Sequence, residues 1–182
     1  NGKPVTSISE SAFKNKYGIK EIEIPSTITT IGNNAFNFCY DLTKVILYGE
    51  VKVGSRAFAS CEKLSIINVD KITEMGEYCF LSTAITTVET SPKLKVIPKA
   101  AFDGCESLTS ITVDENNQYY KSIDENLYSK DGKTLIQYAI GKEDTSFEIP
   151  YSVTSIGNNA FYNCDILTSV VIPDSVTSIG SD

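Results

Sequence analysis

The chain has 182 residues, 41% of them hydrophobic and 21% charged, with a net charge of −7 and no histidine. This composition reads as soluble and globular. The acid surplus excludes the basic stripe that a nucleic-acid backbone demands and simple adsorption to an anionic membrane. Without histidine the commonest general base, the commonest zinc ligand and every Ser-His or Cys-His nucleophile pair are missing.

No apolar run approaches the ~20 residues of a membrane span, so no membrane insertion is expected. The chain opens in mid-pattern at Asn1-Gly2-Lys3-Pro4 without a signal peptide, an absence that a trimmed fragment would show in any case.

Along the chain an internal repeat dominates. Phe13, Phe36, Phe58, Phe80 and Phe102 follow one another at steps of 23, 22, 22 and 22, and Phe161 follows 59 later. Five residues before each stand Ile8, Ile31, Val53, Met75, Ile97 and Ile156; four before stand Ser9, Gly32, Gly54, Gly76, Pro98 and Gly157. The six residues Ile31–Phe36 recur unchanged as Ile156–Phe161, and Ile172–Gly180 nearly repeats Ile149–Gly157.

Within a unit, runs such as Leu42–Leu47 and Leu167–Ile172 end in the alternation of a half-buried strand. Pro25, Pro150 and Pro173 close those strands because proline cannot donate to a ladder. A second short segment, Val153–Ile156 in its clearest copy, turns inward. Glycine permits a bend, and Asn-Asn-Ala-Phe suits a helical turn with an asparagine cap. One such coil cannot bury its apolar side, but a stack can.

The sequence therefore predicts an α/β repeat fold. It is a right-handed solenoid of short β-strands with single helical turns, interrupted by one hairpin-bearing irregular coil. Regular repeats occupy 1–113 and 149–182, an inserted hairpin unit occupies 114–148, and the whole reads as a piece of a longer array. Cut ends predict end-to-end self-association.

The recurring pattern L-x-x-V-x-I-P-x-x-V-T-x-I-G-x-x-A-F-x-x-C, carried by residues such as Leu167–Ile172 and Val153–Phe161, resembles the BspA-like leucine-rich repeat of the Treponema pallidum type. The inserted unit fits that resemblance. Leu127-Tyr128-Ser129-Lys130-Asp131-Gly132-Lys133-Thr134-Leu135-Ile136 holds a hairpin signal at Asp131-Gly132. Glu125-Asn126 stands where the family usually has Asp-Gly-like residues. The resemblance implies a bacterial, surface or secreted protein that binds host proteins or other cells, with no catalytic residue and no cofactor.

Four groups of residues invite a functional reading. Cys39, Cys61, Cys105 and Cys164 all lie three after the phenylalanine, and Cys79 replaces an alanine. The alternatives are a redox or metal site and a column of small reduced thiols. Rungs about 5 Å apart would bring Cys39 and Cys61 within reach of a disulfide. The acids of the insert, Asp114, Glu115, Asp124, Glu125, Asp131, Glu143, Asp144 and Glu148, could be a calcium site or a solvated face; no Asp-x-Asp-x-Asp-Gly loop is present.

The third group is the outward strand face: Glu21, Glu23, Lys44, Ile46, Ile66, Asn68, Thr87, Glu89, Ser110, Thr112, Ser169 and Val171, with Ser146 and Glu148. Ile46, Ile66 and Val171 are apolar where water is expected. Tyr119, Tyr120, Tyr128 and Tyr138 form a secondary candidate, since tyrosine favours interfaces. The expected function is a non-enzymatic protein-binding module, extracellular or at the cell surface; the alternative is a structural spacer that presents another domain.

Overall fold

The computed structural model describes residues 2–98 and 100–181. The chain coils into a β-solenoid, and each rung contributes to three sides of the stack. The short-strand side begins with β1 (Ser7–Ile8), β3 (Thr30–Ile31), β5 (Val51–Val53) and β7 (Ile72–Met75), paired in parallel in that order. The long-strand side begins with β2 (Glu21–Ile24), β4 (Lys44–Leu47) and β6 (Ile66–Ile67), also parallel. It continues in a pair, β8 (Thr87–Thr90) with β9 (Ser110–Val113).

The third side is the Ala-Phe segment, and here the expected helical turn is wrong. No α-helix is present among the described residues; the one helical element is a 3-10 turn at Val69–Lys71. The amides of Asn34, Phe36 and Phe38 donate to Ser55, Ala57 and Ala59 of the next rung, at 2.9, 2.7 and 3.0 Å. The amides between them, Ala35, Asn37 and Cys39, bond back three residues within their own rung. An α-helix would direct every N–H along its own axis and leave none to join rungs. Alternation does both, and it requires left-handed backbone at Asn34 (φ 56°) and Phe38 (φ 61°).

The asparagine of the expected cap serves the neighbour instead. Asn33 Oδ1 accepts the amide of Ser55 at 2.9 Å, and Asn158 Oδ1 that of Ser181 at 3.0 Å. This contact explains the glycine column. A Cβ on Gly54 would stand 2.6 Å from Asn33 Oδ1 and 2.7 Å from its backbone nitrogen, and one on Gly76 would stand 2.2 Å from Ser55 N. Only a residue without a side chain lets the rungs approach this closely.

The core is a stack of rings. Phe13, Phe36, Phe58, Phe80 and Phe102 lie 5.1, 5.2, 5.7 and 5.9 Å apart in succession, with planes parallel within 2°. Aliphatic residues such as Val45, Leu64, Ile72, Val88 and Ile111 fill the space around them. The inward residues alternate with outward ones along each long strand, as in β4, where Val45 and Leu47 are buried and Lys44 and Ile46 are not.

The insert breaks the stack. β10 (Tyr120–Ile123), β11 (Asn126–Ser129) and β12 (Thr134–Gln137) form an antiparallel meander. The β11–β12 hairpin turns at Asp131-Gly132 as the sequence predicts. The β10–β11 turn is Asp124-Glu125, one residue earlier than Glu125-Asn126. Its two residues both have positive φ (46° and 61°), as a type I′ turn demands.

Beyond the meander the solenoid resumes. β12 pairs in parallel with β14 (Ser155–Ile156), and that strand with β16 (Ser178–Ile179); β13 (Ser146–Glu148) pairs in parallel with β15 (Ser169–Val171). Two apolar clusters result, and adjacent residues of β11 divide between them: Leu127 enters the first, Tyr128 the second. Tyr138 takes a phenylalanine's place, its amide donating to Ala160 at 2.9 Å and its ring 5.6 Å from Phe161.

Candidate binding face

The long strands position the outward residues in register. Glu21, Lys44 and Ile66 make one row, and Glu23 and Ile46 a second. Thr87 with Ser110 and Glu89 with Thr112 make a separate patch on β8–β9; Ser146 with Ser169 and Glu148 with Val171 make a third on β13–β15. The face is thus three patches, not one. The first break follows from spacing: Phe58 to the buried Leu64 is six residues, whereas Phe80 to the buried Ile85 is five, and β6 and β8 do not pair. The second break is the insert.

Within the first patch the charges are already engaged. Lys44 Nζ lies 3.7 Å from Glu21, and the Tyr48 hydroxyl donates to Glu23 Oε2 at 2.9 Å. That carboxylate holds the phenol above its usual pKa. Ile66 is 53% exposed beside Ile46, and the exposed Tyr48 adjoins them. Tyr48 was not among the residues expected at the face; its signal in the sequence is an aromatic residue immediately after the alternating Lys44–Leu47 run.

Asn68 departs from the expected presentation. Its amide is spent on the backbone of Leu47, accepting from N–H at 2.8 Å and donating to C=O at 2.9 Å. It extends the ladder by one step where β6 stops. The tyrosines also separate. Tyr128 and Tyr138 are buried in the core and offer nothing to a partner, the half-buried Tyr120 accepts the Ile97 amide at 3.0 Å, and only Tyr119 is exposed. Burial pushes both Tyr128 and Tyr138 up to about 12.

The cysteine column has a structural explanation. All five cysteines are free thiols. Cys39, Cys61 and Cys105 donate from Sγ to the carbonyls of Phe13, Phe36 and Phe80, each 3.1 Å away in the preceding rung or its equivalent. Thr83, in the same column, donates to its own Phe80 carbonyl at 3.0 Å. The position wants a small donor.

Burial raises Cys105 to about 11 and Cys164 to about 12. The neighbouring Cys39 thiol and burial hold Cys61 above its usual range.

Among the described residues no group of three or more His, Cys, Asp or Glu is placed to hold a metal ion, which bears on the calcium alternative. The insert's lysines work locally, Lys142 Nζ donating to the Asp124 carbonyl at 2.6 Å and lying 3.3 Å from Glu125. No helix of the described residues is long and apolar enough to cross a membrane.

The repeat described by these rungs matches the model of the BspA type leucine-rich repeat region in six copies, over residues 5–133 and 140–182. The chain belongs to the BspA-type leucine-rich repeat family. No curated protein matches it.

Among solved structures, a leucine-rich repeat protein from Eubacterium ventriosum aligns with a TM-score of 0.74 at 26% identity, over 90% of this chain and 50% of that one. A leucine rich cell surface protein from Faecalibacterium prausnitzii aligns at 0.56 and 30% identity, over 97% and 61%. The pneumococcal vaccine antigen PcpA aligns at 0.60 and 24% identity, over 97% and 39%, and shows the fold alone. The chain spans between about two fifths and three fifths of these relatives' lengths. A BspA-type solenoid is a repeat module suited to protein interaction, stacking coils into an extended surface.

Proposed function

We propose that this BspA-type solenoid is a non-enzymatic protein-binding module of a bacterial surface or secreted protein, acting in adhesion or in contact with host proteins or other cells. The carrying observation is the first outward patch. Ile66 and Ile46 stand exposed or half-exposed on a regular ladder, beside Tyr48 and rimmed by Glu21, Glu23 and Lys44. An apolar centre inside a polar rim is the composition of a recognition patch. The Faecalibacterium prausnitzii relative, described as a cell surface protein, supports the location.

The test is saturable binding of the chain to immobilised matrix and plasma proteins, with an Ile46→Asp/Ile66→Asp variant beside it. Binding weakened tenfold or more in the variant supports the reading. Equal binding moves the site elsewhere, and no binding to any protein of the panel returns the spacer alternative.

A further inference from the structure

The short-strand side carries a second surface, independent of the outward patch above. In every regular step of this side, two amides of one rung donate to two carbonyls of the rung before. Lys52 N–H donates to Thr29 C=O at 3.0 Å and Gly54 N–H to Ile31 C=O at 2.8 Å; Gly76 N–H donates to Val53 C=O at 2.8 Å. Carried one rung on, the same positions are Val96 toward Thr73 and Pro98 toward Met75. Pro98 has no N–H to give.

No backbone hydrogen bond joins Lys95–Pro98 to β7 among the described residues, and the Ile97 amide is taken by the Tyr120 hydroxyl at 3.0 Å. β7 is accordingly the terminal strand of its sheet. Its outer edge has no strand partner, and its ladder with β5 shifts register by one residue at Thr73.

The space beside that edge is open. A groove of about 410 Å³ is lined by Thr73, Glu74, Met75, Lys93, Lys95 and Val96. Val96 sits in the outward row whose other members are Ser7, Thr30, Lys52, Glu74, Thr134, Ser155 and Ser178, and it is the apolar one, 60% exposed. The charges along the groove are mostly accounted for. Glu74 is held by Lys52 at 2.6 Å and Lys93 by Glu50 at 2.5 Å, while Lys95 is exposed and makes no ion pair among the described residues. A chain of net charge −7 thus places an uncommitted cation and an exposed valine beside an unpaired strand edge.

We infer that the β7 edge is a β-augmentation site for an extended peptide segment of a partner, one that pairs its backbone with Thr73–Met75, rests an apolar side chain on Val96 and sets an acidic side chain against Lys95. Main-chain pairing supplies affinity in such additions and the alternate side-chain contacts supply specificity. An edge left this open is otherwise a liability that proteins cover or blunt.

The experiment uses a fluorescein-labelled eight-residue peptide alternating valine with glutamate, titrated with the chain and followed by anisotropy. Two controls accompany it, the same peptide with lysine for glutamate and one N-methylated at alternate residues. Saturable binding is expected, weakened at least tenfold by Val96→Asp, by Lys95→Glu, by the lysine peptide and by N-methylation, with the Thr73 and Met75 amides slowed in hydrogen exchange when the peptide is present. Val96 and Lys95 are exposed, so both variants keep the fold. Absence of binding, or equal binding of the N-methylated peptide, overturns the proposal. Ile46→Asp/Ile66→Asp leaves this binding unchanged, which separates it from the outward patch.

Discussion

The ring of Phe58 lies 5.2 Å from that of Phe36 and 5.7 Å from that of Phe80, with both pairs of planes parallel within 2°. Such regularity is the product of near-identical rungs at a fixed spacing, and it makes each ring part of both neighbours' walls. Phe58→Ala removes a fully buried ring from the middle of the stack and costs about 3–5 kcal/mol. Phe13→Ala, at a half-buried ring with one neighbour, costs less. Urea midpoints of the two variants check the difference; equal losses would show that the stack does not share its load along the rungs.

Gly54→Ala places a methyl group against the Asn33 backbone and side chain, where 2.6–2.7 Å separates a Cβ from its nearest neighbours. Overpacking of this kind costs about 1–3 kcal/mol. Gly2→Ala, with nothing within 4 Å, is neutral. Thermal melts of both proteins measure the contrast.

Asn117 ties the insert to the turn that follows β8. Its Nδ2 donates to Ser91 C=O at 3.2 Å and Leu94 C=O at 2.9 Å, and its Oδ1 accepts from the amides of Tyr119 and Tyr120 at 2.9 and 3.0 Å. All four hydrogen-bonding positions of a buried amide are used. Asn117→Leu keeps the volume and orphans four backbone groups, a loss on the order of 3 kcal/mol. Hydrogen exchange localises it: β10 and β11 lose protection before β2–β4 does.

Alkaline stability follows from the buried acids. Cys105 and Cys164 are raised to about 11 and 12, and Tyr128 and Tyr138 to about 12, each chiefly by burial. The unfolded chain loses these protons first, from about pH 9 for the thiols and about pH 10 for the phenols. Above pH 9 the folded state therefore binds more protons, and unfolding free energy falls as pH rises through the folded values. Urea denaturation at pH 7.5 and pH 10.5 is expected to show the loss, and Cys105→Ser to reduce its slope.

Thiol reagents report the same burial differently. Cys39, Cys61, Cys79 and Cys105 are fully buried and Cys164 half-buried. A colorimetric thiol assay at pH 7.5 is expected to find Cys164 reacting first and the other four only on unfolding, Cys39 included, because access and not acidity limits it. Rapid modification of Cys39 in the folded protein would contradict this packing.

The periodic columns alone are enough to predict a stack, but the break of the short-strand sheet at Pro98 is not part of that expectation and emerges only from the structure. Pro98 stands in a glycine column, and a residue without N–H cannot continue a parallel ladder. The alternation of Lys44–Leu47 told which residues face outward. The Ala-Phe segment is not legible in the same way, because Asn-Asn-Ala-Phe is compatible with a helical turn until a neighbouring rung competes for its amides. Asn34 and Phe38 adopt positive φ to satisfy that neighbour, a demand that no single rung's sequence states. Asn68 and Tyr128 leave the expected faces for the same reason: one is spent on a backbone 21 residues away, the other on a core created by the insert.

What the sequence by itself determined is local and periodic: which side of each strand is apolar, where glycine, proline and the Asp131-Gly132 turn must fall, and that the rungs repeat. The tertiary structure decided everything that depends on two rungs meeting. It chose a laddered turn over a helix, split the outward face into three patches at a five-residue step and at the insert, and left the β7 edge unpaired. The physical reason is that a backbone hydrogen bond has two ends, and in a solenoid the second end lies about 22 residues away.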